Sequence, residues 1–130
     1  MTVKAADPTC GLARRILIVE DEPMIRMLLE DMLSDLGYKV TAEAGRVDEA
    51  IPLARDAEVD AAILDLNLNG QSVLPVAELL VDRGVPFIFA TGYGERGLPE
   101  CYRNHPTLQK PFEQGTLERV LARVFESAKA

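Results

Sequence analysis

The chain has no tryptophan, a single histidine and two cysteines among 130 residues, and aromatic residues make up only 5% of it. Each shortage excludes something. Without tryptophan, and with EDEPM rather than a glycine-rich phosphate loop after the first apolar run, a flavin or dinucleotide binder is weakly supported. Cys10 and Cys101 have no metal-ligand spacing and are too few for a disulfide framework. They read as free thiols in a reducing cytosol, Cys101 as an inert loop thiol. One histidine cannot build a zinc site, so His105 reads as structural or solvent-exposed. No apolar run reaches the roughly 18 to 20 residues that cross a bilayer, and MTVKAADPTCGLARR lacks the apolar core of a signal peptide. The expectation is a cytoplasmic protein without membrane insertion. Positive charge is also scarce: 14 Lys and Arg face 21 Asp and Glu, a net charge of −7, which argues against nucleic acid as a partner.

What is present describes an ordinary globule. Hydrophobic residues make up 48% and charged residues 27%, with 9 Gly and 8 Pro. The length suits one domain. Residues 1–13 are small and polar without periodicity and read as a flexible extension, leaving residues 14–130 as the folded unit. Strand-length apolar runs recur at Ile16 to Val19, Tyr38 to Ala44, Ala61 to Leu64, Phe87 to Ala90 and Thr107 to Gln109. Their lack of polar alternation predicts strands covered on both faces.

Helical patterns lie between them. Ile25, Leu28, Leu29, Met32 and Leu36 form an apolar stripe opened by Asp21, Glu22 and Pro23 and closed by Gly37, with Asp21 a candidate N-cap. Ser72 is positioned to cap a second helix that buries Val76, Leu79 and Leu80 and stops at Gly84. Residues 48–57 are helical in pattern, with Pro52 placed to kink or delay the start. Leu117, Val120, Leu121, Val124 and Phe125 mark the last helix, whose charged residues read as a solvated face. Residues 92–106, GYGERGLPECYRNHP, hold too much Gly and Pro for more than a turn or two, so one helix of the alternation is reduced or irregular. Five strands alternating with helices give an α/β fold: a five-stranded parallel sheet with right-handed crossovers and helices on both faces.

Ligands of such sheets collect outside the carboxyl ends of the strands. There stand Glu20, Asp21 and Glu22 after the first strand, Asp65 after the third, Thr91 after the fourth and Lys110 after the fifth. If the strand order is 2-1-3-4-5, an order that no local pattern supplies, the acids of the first and third strands would meet, and Thr91 and Lys110 would approach from the other side. Carboxylates so close repel one another unless a cation shares the site. With no His or Cys nearby, an all-oxygen site favours Mg2+ or Mn2+ over zinc. A half-empty acidic pocket of this kind suits phosphoryl transfer, with Asp65 as nucleophile, Lys110 offsetting charge and the Thr91 hydroxyl donating to a phosphoryl oxygen.

The segments RILIVEDEPMIRMLLEDML, AAILDLNLNG, PFIFATGY and QKPF resemble, in order, the acidic-pair, phosphoacceptor, threonine and lysine motifs of the receiver domain of two-component response regulators. The resemblance implies a flavodoxin-like sheet of order 2-1-3-4-5. It also implies that Asp65 accepts a phosphoryl group from a sensor histidine kinase or histidine phosphotransfer protein. Asp21, Asp65 and the backbone carbonyl of Asn67 would hold Mg2+ or Mn2+, with Glu20 reaching it directly or through water. Thr91 and Lys110 would sense the phosphoryl group, and Lys110-Pro111 would be a cis peptide. FATGY followed by a weak fourth helix is similar to the stand-alone FAT GUY receivers of alphaproteobacteria, which implies a single-domain phosphoryl carrier or competitor rather than a transcription factor; a downstream protein target and a monomer or weak homodimer are the further expectations.

Two departures bear on the output. Thr107 stands where many receivers carry the aromatic switch, three positions before the lysine, and the fourth helix is eroded. The expected output element is therefore the loop containing Tyr93, Gly94, Glu95, Arg96 and Gly97. Asn67 and Tyr93 are the expected tuners of phosphoryl lifetime, Asn67 admitting the hydrolytic water and Tyr93 hindering it; faster decay in Tyr93→Ala would bear this out. The receiver is expected to catalyse its own phosphorylation and dephosphorylation without being a turnover enzyme, and two alternatives stay open. A Mg2+-dependent phosphohydrolase would favour Asp-x-Asp, where Asp65-Leu66-Asn67 stands here. A phosphorylation-independent pseudo-receiver would be expected to lack Asp65, Thr91 or Lys110.

Overall fold

Alternation of inward and outward side chains, imposed by the period of two in an extended chain, divides this protein's core into two layers. The computed structural model describes residues 13–92, 98–102 and 105–129. The main strands are β1 (Arg15–Val19), β2 (Lys39–Ala44), β3 (Ala61–Asp65), β4 (Phe87–Thr91) and β5 (Thr107–Gln109). They form one five-stranded sheet in the order β2-β1-β3-β4-β5, with every neighbouring pair parallel. The helices are α1 (Pro23–Asp35), α2 (Val47–Asp56), α3 (Leu74–Arg83) and α4 (Gln114–Lys129).

Leu17, Val19, Ala62, Leu64, Phe87 and Phe89 face α2 and α3, where Ala50, Ala54, Val76, Ala77 and Leu80 meet them. Ile16, Ile18, Ala61, Ile63, Ile88, Ala90 and Leu108 face α1 and α4 through Leu29, Leu33, Leu117, Leu121, Val124 and Phe125. Both faces of β1, β3 and β4 are thus occupied, which is why those strands read as unbroken apolar runs. Edge strand β2 differs from the expectation. Its exposure alternates along KVTAEA, and a register shift against β1 between Ile16 and Leu17 sends Val40 toward the α1 and α4 layer and Ala42 and Ala44 toward the α2 and α3 layer.

Three helix expectations need correction. In α1 the buried stripe is rotated from the predicted one: Leu29 and Leu33 form its centre, and Leu28 is exposed. The N-cap of α1 is Glu22, with no side-chain capping bond, so Asp21 is not a cap. α2 begins at Val47, before Pro52, which lies inside the helix rather than delaying it. Pro52 has no N–H, so the carbonyl of Asp48 forgoes its helical bond. Arg83 of α3 supplies other bonds to α2, donating to the carbonyls of Ala54 and Ala57, each at 2.8 Å. Gly84 then closes α3 with φ of 72°, the left-handed conformation that glycine adopts without penalty.

Two connections depart from plain crossovers. After β3 the chain forms a small antiparallel hairpin, pairing Asn67 with Ser72 and Leu68 with Gln71. Its turn residues have positive φ, 52° at Asn69 and 84° at Gly70. Ser72 Oγ then accepts the Leu74 N–H at 3.1 Å, although Val73 is the N-cap of α3. Between β4 and β5 the described residues contain only a 3-10 turn, Glu100–Tyr102, as the glycine and proline content predicted.

Candidate functional site

Hydrogen-bond donors of the backbone and one ammonium group hold the acids at the strand ends in place. Glu20, directly after β1, is 1% exposed, which without partners would be very unfavourable for a carboxylate. Its Oε1 accepts from Lys110 Nζ at 2.9 Å and its Oε2 accepts from the Glu22 N–H at 3.1 Å. Lys110 Nζ also lies 3.5 Å from Asp65 Oδ2. One ammonium therefore ties the end of β1 to the end of β3. Burial pulls the Lys110 pKa down, but the hydrogen bond to Glu20 and the charges of Asp65 and Glu20 outweigh it, so the group is held above the ordinary lysine value.

Asp21 is half-buried, and its Oδ2 accepts the Asn69 N–H at 3.2 Å. Glu20, Asp21 and Asp65 each offer a carboxylate oxygen within 4.8 Å of the others. Thr91, the last residue of β4, is buried, and its carbonyl accepts the Lys110 N–H at 2.9 Å. The Lys110-Pro111 peptide is cis. The predicted residues Glu20, Asp21, Asp65 and Lys110 are thus brought together by contact, with Thr91 joined through backbone. Asn67 is placed by its pairing in the hairpin. Tyr93, Gly94, Glu95, Arg96 and Gly97 lie outside the described residues.

Among the described residues the donor set is three carboxylates with no nitrogen or sulfur ligand, opposed by the Lys110 ammonium. Its charge and hardness fit a hard divalent cation such as Mg2+, bound with some of its water retained.

Over residues 16–122 the chain matches the family model described as the response regulator receiver domain. The chain belongs to that family. Receiver domains are signalling modules rather than turnover enzymes. This receiver is 35% identical over 116 residues to the transcriptional regulatory protein PdtaR of Mycobacterium tuberculosis, covering 86% of this chain and 57% of PdtaR. It spans about half the length of the curated relatives it matches. Among solved structures it resembles SdrG from Sphingomonas melonis Fr1 (42% identity, TM-score 0.79), with 87% of this chain and 97% of that one covered. It also resembles the receiver domain of the sensor histidine kinase PA1611 from Pseudomonas aeruginosa PAO1, a structure with a magnesium ion coordinated in its active-site cleft. Identity there is 28% and the TM-score 0.74, with 88% of this receiver and 99% of that chain covered. No helix among the described residues is long and apolar enough to cross a membrane.

Sequence reasoning missed one part of the site and one patch away from it. Asn69 and Gly70 were legible as Asn-Gly, the strongest short-range hairpin signal, yet the flanking strands of two residues each were too short to register. The second is an aromatic patch beneath the irregular connection. His105 stacks on Phe87 with ring centroids 4.3 Å apart, and Tyr102 meets Phe89 edge-on at 5.3 Å. His105 Nε2 lies 2.7 Å from the Phe87 carbonyl oxygen. The histidine is therefore structural. Burial lowers its pKa, opposed by the bond to the Phe87 carbonyl.

Proposed function

We propose that this receiver accepts a phosphoryl group on Asp65 from a sensor histidine kinase or a histidine phosphotransfer protein, in a Mg2+-dependent reaction, and signals by protein contact. The observation that carries this reading is the cluster of Glu20, Asp21 and Asp65, with the Lys110 ammonium set against Glu20 and Asp65. In the reaction an Asp65 oxygen attacks phosphorus, the bond from phosphorus to the donor nitrogen or oxygen breaks, and the donor leaves with that electron pair. The product is an acyl phosphate. Asp21, Asp65 and the Asn67 carbonyl would hold Mg2+, with Glu20 near it; the ion supplies charge stabilisation to the phosphoryl oxygens.

The remaining steps belong to the chain. Lys110 is already 3.5 Å from Asp65 and offers its ammonium to the developing charge. Thr91, buried at the adjoining strand end, offers its hydroxyl. Met24, Met27 and Leu28 of α1 are 80%, 63% and 41% exposed, giving the phosphodonor an apolar surface next to the acidic residues that precede that helix. The FATGY segment and the reduced fourth helix support assignment to the stand-alone FAT GUY type.

The test is incubation of wild type and Asp65→Asn with Mg2+ and acetyl phosphate or phosphoramidate, followed by intact mass. One phosphoryl group on the wild type and none on Asp65→Asn is the expected result. No addition to the wild type with either donor would favour a pseudo-receiver, and sustained turnover of a phosphate ester would favour a hydrolase.

A further inference from the structure

We propose that the Asn69-Gly70 turn is a positioning device for the cation site, a reading that rests on the Mg2+ site proposed above. The hairpin is too short to be stable alone, since even a longer isolated two-stranded hairpin is marginal in water. Two tertiary anchors hold it. Leu68 is 1% exposed within the α2 and α3 layer, and the Asn69 N–H donates to Asp21 Oδ2 at 3.2 Å. That bond spans 48 residues of sequence and joins the acid after β1 to the loop after the phosphoacceptor.

The turn sets two proposed ligands at once. Asp21 is oriented because one oxygen is occupied by the Asn69 amide; a carboxylate has about four lone-pair sites, so the other oxygen stays available to a cation. The Asn67 peptide is fixed because its residue pairs with Ser72 across the same hairpin. Both depend on positive φ at two consecutive residues, 52° at Asn69 and 84° at Gly70. Asn and Gly are the residues that accept this conformation.

Opening the turn would release the Asp21 carboxylate and the Asn67 backbone together. The apparent cation affinity is then scaled by the fraction of molecules with the turn closed. Conversely, a bound cation favours the closed turn.

Gly70 allows a clean test because an added Cβ would meet nothing within 4 Å, so Gly70→Ala changes backbone preference without a clash. Gly84 supplies the control: its φ of 72° is similar, an added Cβ again meets nothing within 4 Å, and it closes α3 at the end remote from the hairpin. Mg2+ affinity is measured by calorimetric titration, and thermal midpoints are measured without Mg2+. Gly70→Ala should weaken Mg2+ binding by up to about fivefold, the equivalent of the left-handed penalty for a non-glycine residue. Gly84→Ala should lower the thermal midpoint comparably and leave the affinity unchanged. Gly70→Asn, which tolerates the left-handed region, should restore most of the affinity.

Equal Mg2+ affinity in wild type and Gly70→Ala would overturn the inference while leaving the metal site standing. Equal weakening in Gly84→Ala would overturn it too, by showing that affinity follows general stability. A wild type that binds no Mg2+ would remove the metal reading itself, and this inference with it.

Discussion

The connections after β3 and after β4 start from neighbouring strand ends, and Asp65 pairs with Ala90 across them, yet they are built from different forces. The first is short, and besides the buried Leu68 a defined turn, a two-pair ladder and a carboxylate hydrogen bond fix its backbone. The second is held, among the described residues, by rings lying on the sheet. Tyr102 and His105 cover Phe87 and Phe89 where the alternating pattern would otherwise place a helix. Directional bonds fix the placement of a few atoms, as a cation site needs. Ring packing covers apolar surface while demanding less of the backbone, and it suits a region in which glycine and proline oppose a helix.

Three measurements can break or sharpen that contrast. The largest expected effect is on the polar side. Lys110→Met leaves Glu20, 1% exposed, without its cation, and should destabilise the protein by about 2 kcal/mol in urea without Mg2+, a value reduced for the partial exposure of Lys110. Added Mg2+ should recover part of the loss. No loss would mean that the Glu22 amide alone satisfies Glu20.

Tyr102→Ala on the aromatic side should cost about 1 to 2 kcal/mol, less than truncation of a fully buried ring. The initial rate of Asp65 phosphorylation by acetyl phosphate should stay within about twofold of wild type, a change worth under 0.5 kcal/mol. A larger fall in rate would show that the two connections act as one unit.

The smallest effect is a pH dependence. Burial lowers the folded-state pKa of His105 below its ordinary value, so the unfolded chain takes up the proton first. Stability is therefore full above about pH 6.5, the ordinary histidine value. It should decline as pH falls below that value and level off once the folded form is protonated as well. His105 is the sole histidine, so His105→Gln should flatten the slope of stability between about pH 5 and 7. An unchanged slope would assign the dependence to carboxylates.

The sheet was legible because β1, β3 and β4 are covered on both faces and read as continuous apolar runs. The strand-end acids and Thr91 were legible because they follow or end such runs, and Lys110 was legible from the QKPF segment. The alternation of β2 is visible in KVTAEA once its edge position is known, but edge position depends on strand order, which no local pattern carries. The rotation of the α1 stripe was hidden because Leu28 and Leu33 are both good helix formers, and only the angle of packing on the sheet decides between them. The cap reading of Asp21 failed for a similar reason. An acid just before a helix is the usual local signal of a cap, whereas its observed partner, the Asn69 amide, is distant in sequence. The His105 contact with Phe87 is likewise nonlocal, so residue type indicated a structural histidine without its partner.

The two bonds from Arg83 to the end of α2 have a consequence for cooperativity. α2 is 10 residues long, below the length at which an isolated helix holds in water, and Pro52 forfeits one of its internal bonds. Two of its terminal carbonyl groups are satisfied by a side chain of α3 instead. Local opening of α3 therefore deprives α2 of those partners, and the amides of the two helices should exchange with solvent hydrogen as a single unit at one free energy. Separate protection levels in native-state exchange would show that each helix opens alone.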